Sequence, residues 1–91
     1  MNAGPMLNFP NGSRIFDLTR RAVRFWGHDS AMEWSFFATE EALRRLQPKM
    51  DRDEASFLLA FDANRAAIHA AAIKAYNRER KGSYELLATD L

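Results

Sequence analysis

The residue types of a hydrolase triad stand side by side at His28-Asp29-Ser30. A triad needs an imidazole that bridges nucleophile and carboxylate in a fixed array, with its members usually drawn from separate elements. Three consecutive residues do not converge in that way, and Asp and Ser are ordinary turn formers. The stretch therefore reads as a hairpin tip. A second group, Asp62, Arg65 and His69, falls at spacings of three and four and so lies along one helix face. It could hold an anion or orient an imidazole. It does not suit a metal, because Arg65 lies between the possible ligands and Asp62 and His69 are about two turns, ~10 Å, apart. The stripe reads as a solvated face with an Asp62–Arg65 pair, and Asn64 as a residue at the edge of the core. Glu40 and Glu41 are adjacent, so they splay apart on a helix and suit its dipole better than acid–base work. The glycines at 4, 12, 27 and 82 are scattered and form no phosphate-cradling loop. No catalytic, cofactor or metal site is assigned.

The elements that must position these residues are those of one small domain. The chain has 91 residues, 47% apolar and 12% aromatic, enough for a modest core. Residues 1–13 hold two of the three prolines and two of the four glycines and read as an irregular lead-in, with the folded domain spanning 14–91. Met6 is the expected natural start. Strands are expected at Arg14–Leu18, Ala22–Trp26 and Met32–Phe37, with Gly27–Ala31 as the hairpin loop. Alternation places Val23, Phe25, Met32, Trp34 and Phe36 on one face, joined by Phe16 and Leu18. An even loop lets these sets meet, with Phe25 opposite Trp34 and Trp26 opposite Glu33. A slip of one residue would bury Glu33 and expose Trp34.

Thr39 caps a short helix, Glu40–Leu46, which Pro48 stops. Asp51 or Asp53 caps a second helix running to about Arg80, with Ala55, Leu58, Phe61, Ile68, Ala71, Ala72 and Ala75 as its apolar stripe. Arg78, Arg80 and Lys81 suit its negative end, and Gly82 suits the left-handed position beyond it. Ser83–Thr89 reads as a last strand, with Tyr84, Leu86 and Ala88 inward. The expected fold is a two-layer α+β domain of order β-β-β-α-α-β. Its four-stranded sheet is antiparallel, its two helices cover one face, and its last strand pairs with strand three or strand one.

The outer face of that sheet is the candidate site. Arg24, Trp26, His28, Phe37 and Leu87 point away from the helices, beside Glu33 and Ser35. Open sheet faces are usually polar, so Trp26, Phe37 and Leu87 together suggest a patch for a partner. The alternative is a cover formed by residues 1–13, with Leu7 and Phe9 as plugs. The leading function is a non-enzymatic protein-interaction module, self-associating through this face or a sheet edge. The second is single-stranded nucleic-acid binding, with Trp26 and Phe37 stacking on bases and Arg20, Arg21 and Arg24 meeting phosphates. A net charge of +1, from 13 basic and 12 acidic residues, weighs against it. A small enzyme ranks third. The chain has no cysteine, which excludes disulfides and thiol chemistry and fits a cytoplasmic setting. Its opening residues have no basic, then apolar, signal-peptide pattern, and no stretch approaches a membrane span.

Several segments resemble one known family. They are Asn8-Phe9-Pro10-Asn11, Arg21-Ala22-Val23-Arg24-Phe25-Trp26-Gly27-His28-Asp29-Ser30, Ala42-Leu43-Arg44-Arg45-Leu46, Phe61-Asp62-Ala63-Asn64-Arg65, Ile68-His69 and Lys81-Gly82-Ser83-Tyr84. The chain is similar, over nearly its whole length from Leu7, to the small bacterial family named domain of unknown function 1488. The resemblance implies a short proteobacterial α+β protein. It brings no activity, cofactor, partner or functional residue with it.

Overall fold

The computed structural model describes residues 7–91, so the Met6 start and the first half of the lead-in lie outside the described residues. Four strands form one sheet in chain order: β1 (Arg14–Asp17), β2 (Ala22–Asp29), β3 (Met32–Thr39) and β4 (Ser83–Leu86). Three helices, α1 (Glu40–Leu46), α2 (Glu54–Ala63) and α3 (Arg65–Arg78), stand between β3 and β4. The fold is α+β, but the sheet is mixed and the element order is β-β-β-α-α-α-β. The β1–β2 and β2–β3 pairs are antiparallel, whereas β4 runs parallel to β3.

The hairpin between β2 and β3 is tighter than the sequence suggests. Asp29 pairs with Met32, leaving only Ser30-Ala31 as the loop. Ser30 has φ 57°, the positive first position of a mirror-type turn, whose twist matches the strands and lets the ladder run to the tip. Gly27, His28 and Asp29 are therefore strand residues, and the pairing moves by two positions. Phe25 opposes Phe36, Gly27 opposes Trp34, Trp26 opposes Ser35, and His28 opposes Glu33. The loop is still even, so the expected faces survive. Phe25 and Phe36 are fully buried and Glu33 is exposed. Trp34 is only partly buried, packed at the margin of the core. Leu18 departs from expectation. β1 ends at Asp17, so Leu18 falls in the turn and is 70% exposed. That turn is held by the Asp17 carboxylate, which accepts from the Arg20 backbone at 2.9 Å.

The helix layer is also rearranged. Thr39 caps α1, and Asp53 caps α2, its carboxylate accepting from the Ser56 backbone at 2.9 Å. The expected long helix breaks at Asn64 (φ −128°, ψ 26°), whose side chain donates to the Ala60 carbonyl at 2.8 Å. The apolar stripe passes through the break: Phe57, Ala60 and Phe61 on α2, then Ile68, Ala71, Ala72, Ala75 and Tyr76 on α3, are buried. Phe57 takes the core place expected of Ala55, which is exposed. α3 ends at Arg78, with Glu79 extended beyond it (φ −157°), and Gly82 lies three residues further on in open space. Gly82 is thus no helix cap. The Arg80 guanidinium donates to the Tyr76 carbonyl in the last turn, and the Tyr84 hydroxyl holds the exit beyond it, donating to the Glu79 carbonyl and accepting from the Lys81 backbone, each at 2.9 Å.

The direction of β4 follows from where the helices travel. The α2 end of the layer is fixed near the β1–β2 turn, where Arg21 donates to the Arg52 carbonyl at 2.7 Å. The far end of α3 is fixed at the β2–β3 hairpin, where the Tyr76 hydroxyl donates to Asp29 at 2.5 Å. α2 and α3 therefore cross the sheet in one pass and deliver the chain to the Met32 end of β3. α1 makes no second pass, and that is why the expected antiparallel pairing is wrong. β4 stops at Leu86 because the next backbone donors go elsewhere: Leu87 N–H to Asp90 at 2.7 Å and Ala88 N–H to Glu41 at 2.9 Å. A short 3₁₀ turn, Ala88–Asp90, replaces the expected end of the strand.

Leu7 closes the core over Gly27. A Cβ at Gly27 would lie 2.8 Å from Leu7 Cδ1 and 3.1 Å from Phe36 Cε1. Gly27→Ala is expected to destabilise by about 1–3 kcal/mol through overpacking, and Leu7→Ala in the same chain should relieve part of that cost. Gly82→Ala, with nothing within 4 Å, should change stability by less than about 0.5 kcal/mol. Thermal melts of the four variants check this. Simple additivity of the Gly27 and Leu7 substitutions would contradict the close contact.

Candidate functional site

The Asp62, Arg65 and His69 stripe is not a free solvated face. Asp62 accepts from Arg14 twice, at 3.0 and 2.7 Å, and from Arg65 at 2.8 Å, so the expected pair is a three-member cluster. Arg65 also donates to the Gly12 carbonyl at 3.0 Å. The bonds from Arg14, then those from Arg65, hold the Asp62 carboxyl below the usual range. One turn on, the His69 ring lies flat on Phe9, with centroids 3.9 Å apart and planes 8° apart. Burial, then the charge of Arg65, lowers the His69 pKa. Asn8 exchanges two backbone hydrogen bonds with His28, at 2.9 and 2.8 Å. Together these groups fasten residues 7–14 along the edge of β2 and onto the helices. The stripe is a clasp for the lead-in. Arg14 and Phe9 were the missing members, and no local spacing pairs residues 48 or more positions apart.

The triad-like residues are not brought together. His28 and Asp29 are successive strand residues and point to opposite faces. His28 Nε2 lies 3.3 Å from Glu33 on the outer side, without hydrogen-bond alignment. Asp29 faces inward and accepts from Tyr76, and this bond, followed by burial, raises the Tyr76 pKa. Ser30 is in the turn. Glu40 gathers Arg44 at 3.2 Å, Arg52 at 3.4 Å and Arg21 at 3.7 Å, so it ties α1 to both neighbouring loops as well as facing the helix dipole. Among the described residues, no group of three His, Cys, Asp or Glu side chains is placed to hold a metal ion.

The outer sheet face carries most of the candidate residues. All three helices pack on the opposite side, and so do Leu7 and Phe9. The expected plugs therefore complete the core and do not cover Trp26 and Phe37. Phe37 is nevertheless buried. The Arg20 guanidinium lies 4.3 Å above its ring and that of Arg24 5.6 Å, while Arg24 also lies 5.1 Å from the Trp26 ring. Arg24 donates to Ser35 Oγ at 2.9 Å. Stacked guanidiniums keep their in-plane donors available while their faces cover the aromatic ring. Beside them is a depression of about 420 Å³, lined by Asp17, Arg20, Arg24, Ser35, Phe37, Gly82 and Ser83. Trp26 is half-buried, and Ile15 on β1 is 56% exposed. Leu87 lies beyond the end of β4 and outside the sheet ladder. Arg21 has left this face altogether. Its guanidinium covers Phe57 at 4.9 Å within the helix layer. No helix among the described residues is long and apolar enough to cross a membrane.

A two-layer α+β domain with one face of its sheet open is thus the class of protein defined here. The chain belongs to the family described as Protein of unknown function (DUF1488), whose model matches residues 7–87. A crystal structure of a protein of unknown function from that family, from Shewanella loihica PV-4, is similar to it, with a TM-score of 0.77, 17% identity and 94% of each chain covered. At that identity the likeness establishes the fold alone. No curated protein matches the chain.

The clasp predicts a pH dependence. His69 has a lowered pKa in the folded state, so below about pH 6.5 the unfolded chain binds a proton that the folded chain does not. Stability should fall as the pH drops from 7.5 through that value. In His69→Phe, which keeps an aromatic ring against Phe9, this fall should be smaller. Melting temperatures at pH 7.5 and 5.0 measure it, and equal slopes in the two proteins would contradict the assignment.

Proposed function

We propose that this chain is a non-enzymatic protein-interaction module that pairs with a second copy of itself through the open face of its sheet. The observation that carries the reading is the composition of that face: half-buried Trp26 and exposed Ile15 stand among Arg20 and Arg24 on one hand and Asp17, Glu33 and Glu85 on the other. Two guanidiniums and three carboxylates make a surface of nearly balanced charge. Such a surface complements a copy of itself better than it complements a polyanion, because an isologous interface sets the same patch on both sides. The nucleic-acid reading loses Arg21 to the helix layer, and Arg20 is 3.8 Å from both Asp17 and Glu85. A cytoplasmic setting belongs to the same proposal, supported by the absence of cysteine from the chain.

Sedimentation equilibrium tests the reading. Wild type should associate, and Trp26→Ala should weaken association by about ten-fold or more, since large aromatics at the centre of an interface dominate its energy. A mixed-sequence oligonucleotide should not bind. Binding that weakens steeply with salt would favour the nucleic-acid reading instead. A monomer indifferent to Trp26→Ala would remove the proposal.

A further inference from the structure

We infer that Asn11-Gly12 is a site of spontaneous covalent modification, and that its conversion to isoaspartate loosens the clasp on residues 7–14. The inference does not depend on how copies of the chain associate.

An asparagine side chain reacts with its own backbone when the nitrogen of the next residue can reach its Cγ. Glycine in that next position removes the Cβ that would crowd the approach and leaves the backbone free to rotate. Asn-Gly occurs once in the chain, at residues 11 and 12. Both are exposed, and the backbone from Asn11 to Ser13 belongs to neither helix nor strand. The other asparagines among the described residues are held in place. Asn8 is bridged to His28, Asn64 donates to the Ala60 carbonyl, and Asn77 lies inside α3. None of them precedes a glycine.

Local contacts favour the attack. The Ser13 N–H donates to Asn11 Oδ1 at 3.0 Å, which folds the side chain back over the peptide units that follow it. This donor lies on the oxygen that gains negative charge as Cγ becomes tetrahedral. The Arg65 guanidinium, 3.0 Å from the Gly12 carbonyl, places a positive charge close to the residue whose nitrogen must lose a proton.

Hydroxide from solvent takes the Gly12 N–H proton, and the nitrogen attacks Asn11 Cγ. A C–N bond forms, the Cγ–Nδ2 bond breaks, and Nδ2 takes a proton from water and leaves as ammonia. Water then opens the resulting succinimide at Cγ, giving aspartate, or at the Asn11 main-chain carbonyl, giving isoaspartate. In the second product the main chain runs through Cγ and is longer by one methylene, about 1.5 Å. That length enters between two fixed points, the stack of Phe9 on His69 and the bond from Arg65 to Gly12. The two no longer fit together, and the Asn8–His28 bridge beside Phe9 loosens with them.

Peptide mapping by mass spectrometry, on the full chain aged in mildly alkaline buffer, tests the site. Asn11 should exchange its amide for an acid about ten-fold or more faster than Asn8, Asn64 or Asn77, and Gly12→Ala should slow it by a similar factor. A Cβ at Gly12 would meet nothing nearer than Arg65 Nη1 at 3.7 Å, so this variant keeps the fold. The folded chain should react within about ten-fold of the rate in urea, because an exposed segment opens at little cost. Equal rates at all four asparagines, no effect of Gly12→Ala, or a far slower reaction in the folded chain would overturn the site. Hydrogen exchange on the separated isoaspartate form tests the consequence. Protection of the Asn8 and His28 amides should fall by about ten-fold or more while the β3–β4 pairing is unchanged, and Asn11→Asp, which adds charge without length, should keep that protection. Full protection in the isoaspartate form, or its loss in Asn11→Asp as well, would overturn the loosening by chain length.

Discussion

Two residues, Ser30 and Ala31, decide which side chains lie on which side of the sheet. A two-residue hairpin of this kind fixes both the register and the parity of β2 against β3. With that parity Val23, Phe25, Trp34, Phe36 and Ala38 meet the helices, and Arg24, Trp26, Ser35 and Phe37 meet the opposite side. An added or deleted loop residue would exchange the two sets. It would place a guanidinium in the aromatic core and present the core phenylalanines to water. The rest of the molecule takes this assignment as given.

On the inner side the consequence is a column of rings. Phe25 stacks with Phe36 at 5.4 Å, Phe36 with Tyr84 at 4.8 Å, and Phe25 meets Phe61 at 5.1 Å. The column links three strands to α2, so sheet and helix layer share one core. Its margins are closed by polar groups: Tyr76 with Asp29 and Arg14 with Asp62, both distant in the chain, and Tyr84 with its near neighbours Glu79 and Lys81. On the outer side the same parity leaves Phe37 without a covering element. Arginines from β2 and its turn supply the cover, and the result is a face that is aromatic beneath and charged above.

Face assignment, the starts of α1 and α2, and the family are legible because each rests on local pattern. Thr39 at a cap, the alternation through Phe25 and Trp34, and the stripe through Phe61 and Ile68 need no knowledge of the rest of the fold. What escaped is what local pattern does not encode. Ser30 at positive φ is not signalled by residue type, so the expected loop is too long and the expected register two residues short. Asn64 breaks a helix whose apolar stripe continues unbroken across it. Gly82 looks like a helix cap, but the Tyr84 hydroxyl makes an extended exit from α3 workable without one. The parallel direction of β4 follows from how far each helix travels, which depends on contacts such as Arg21 with Arg52 and Tyr76 with Asp29. Of the candidate surface, Arg24, Trp26, His28 and Phe37 were placed on the correct side. The stacking of Arg20 and Arg24 over Phe37 emerges only once the β1–β2 turn is folded against the sheet.

The parallel pairing of β3 with β4 also governs the order in which the chain can complete itself. β1, β2 and β3 form a meander from near neighbours in sequence, so their pairing closes short loops and can form early. β4 must wait for the three helices that precede it, and Ser83 then meets Ser35 across a separation of 48 positions. Until it arrives, β3 has one unpaired edge along Ser35–Ala38, and Phe36 lacks the Tyr84 ring that stacks on it in the folded chain. An apolar edge strand of that kind invites pairing with another chain. The pairing that closes the longest loop in the sheet is thus also the one that covers this open edge of β3.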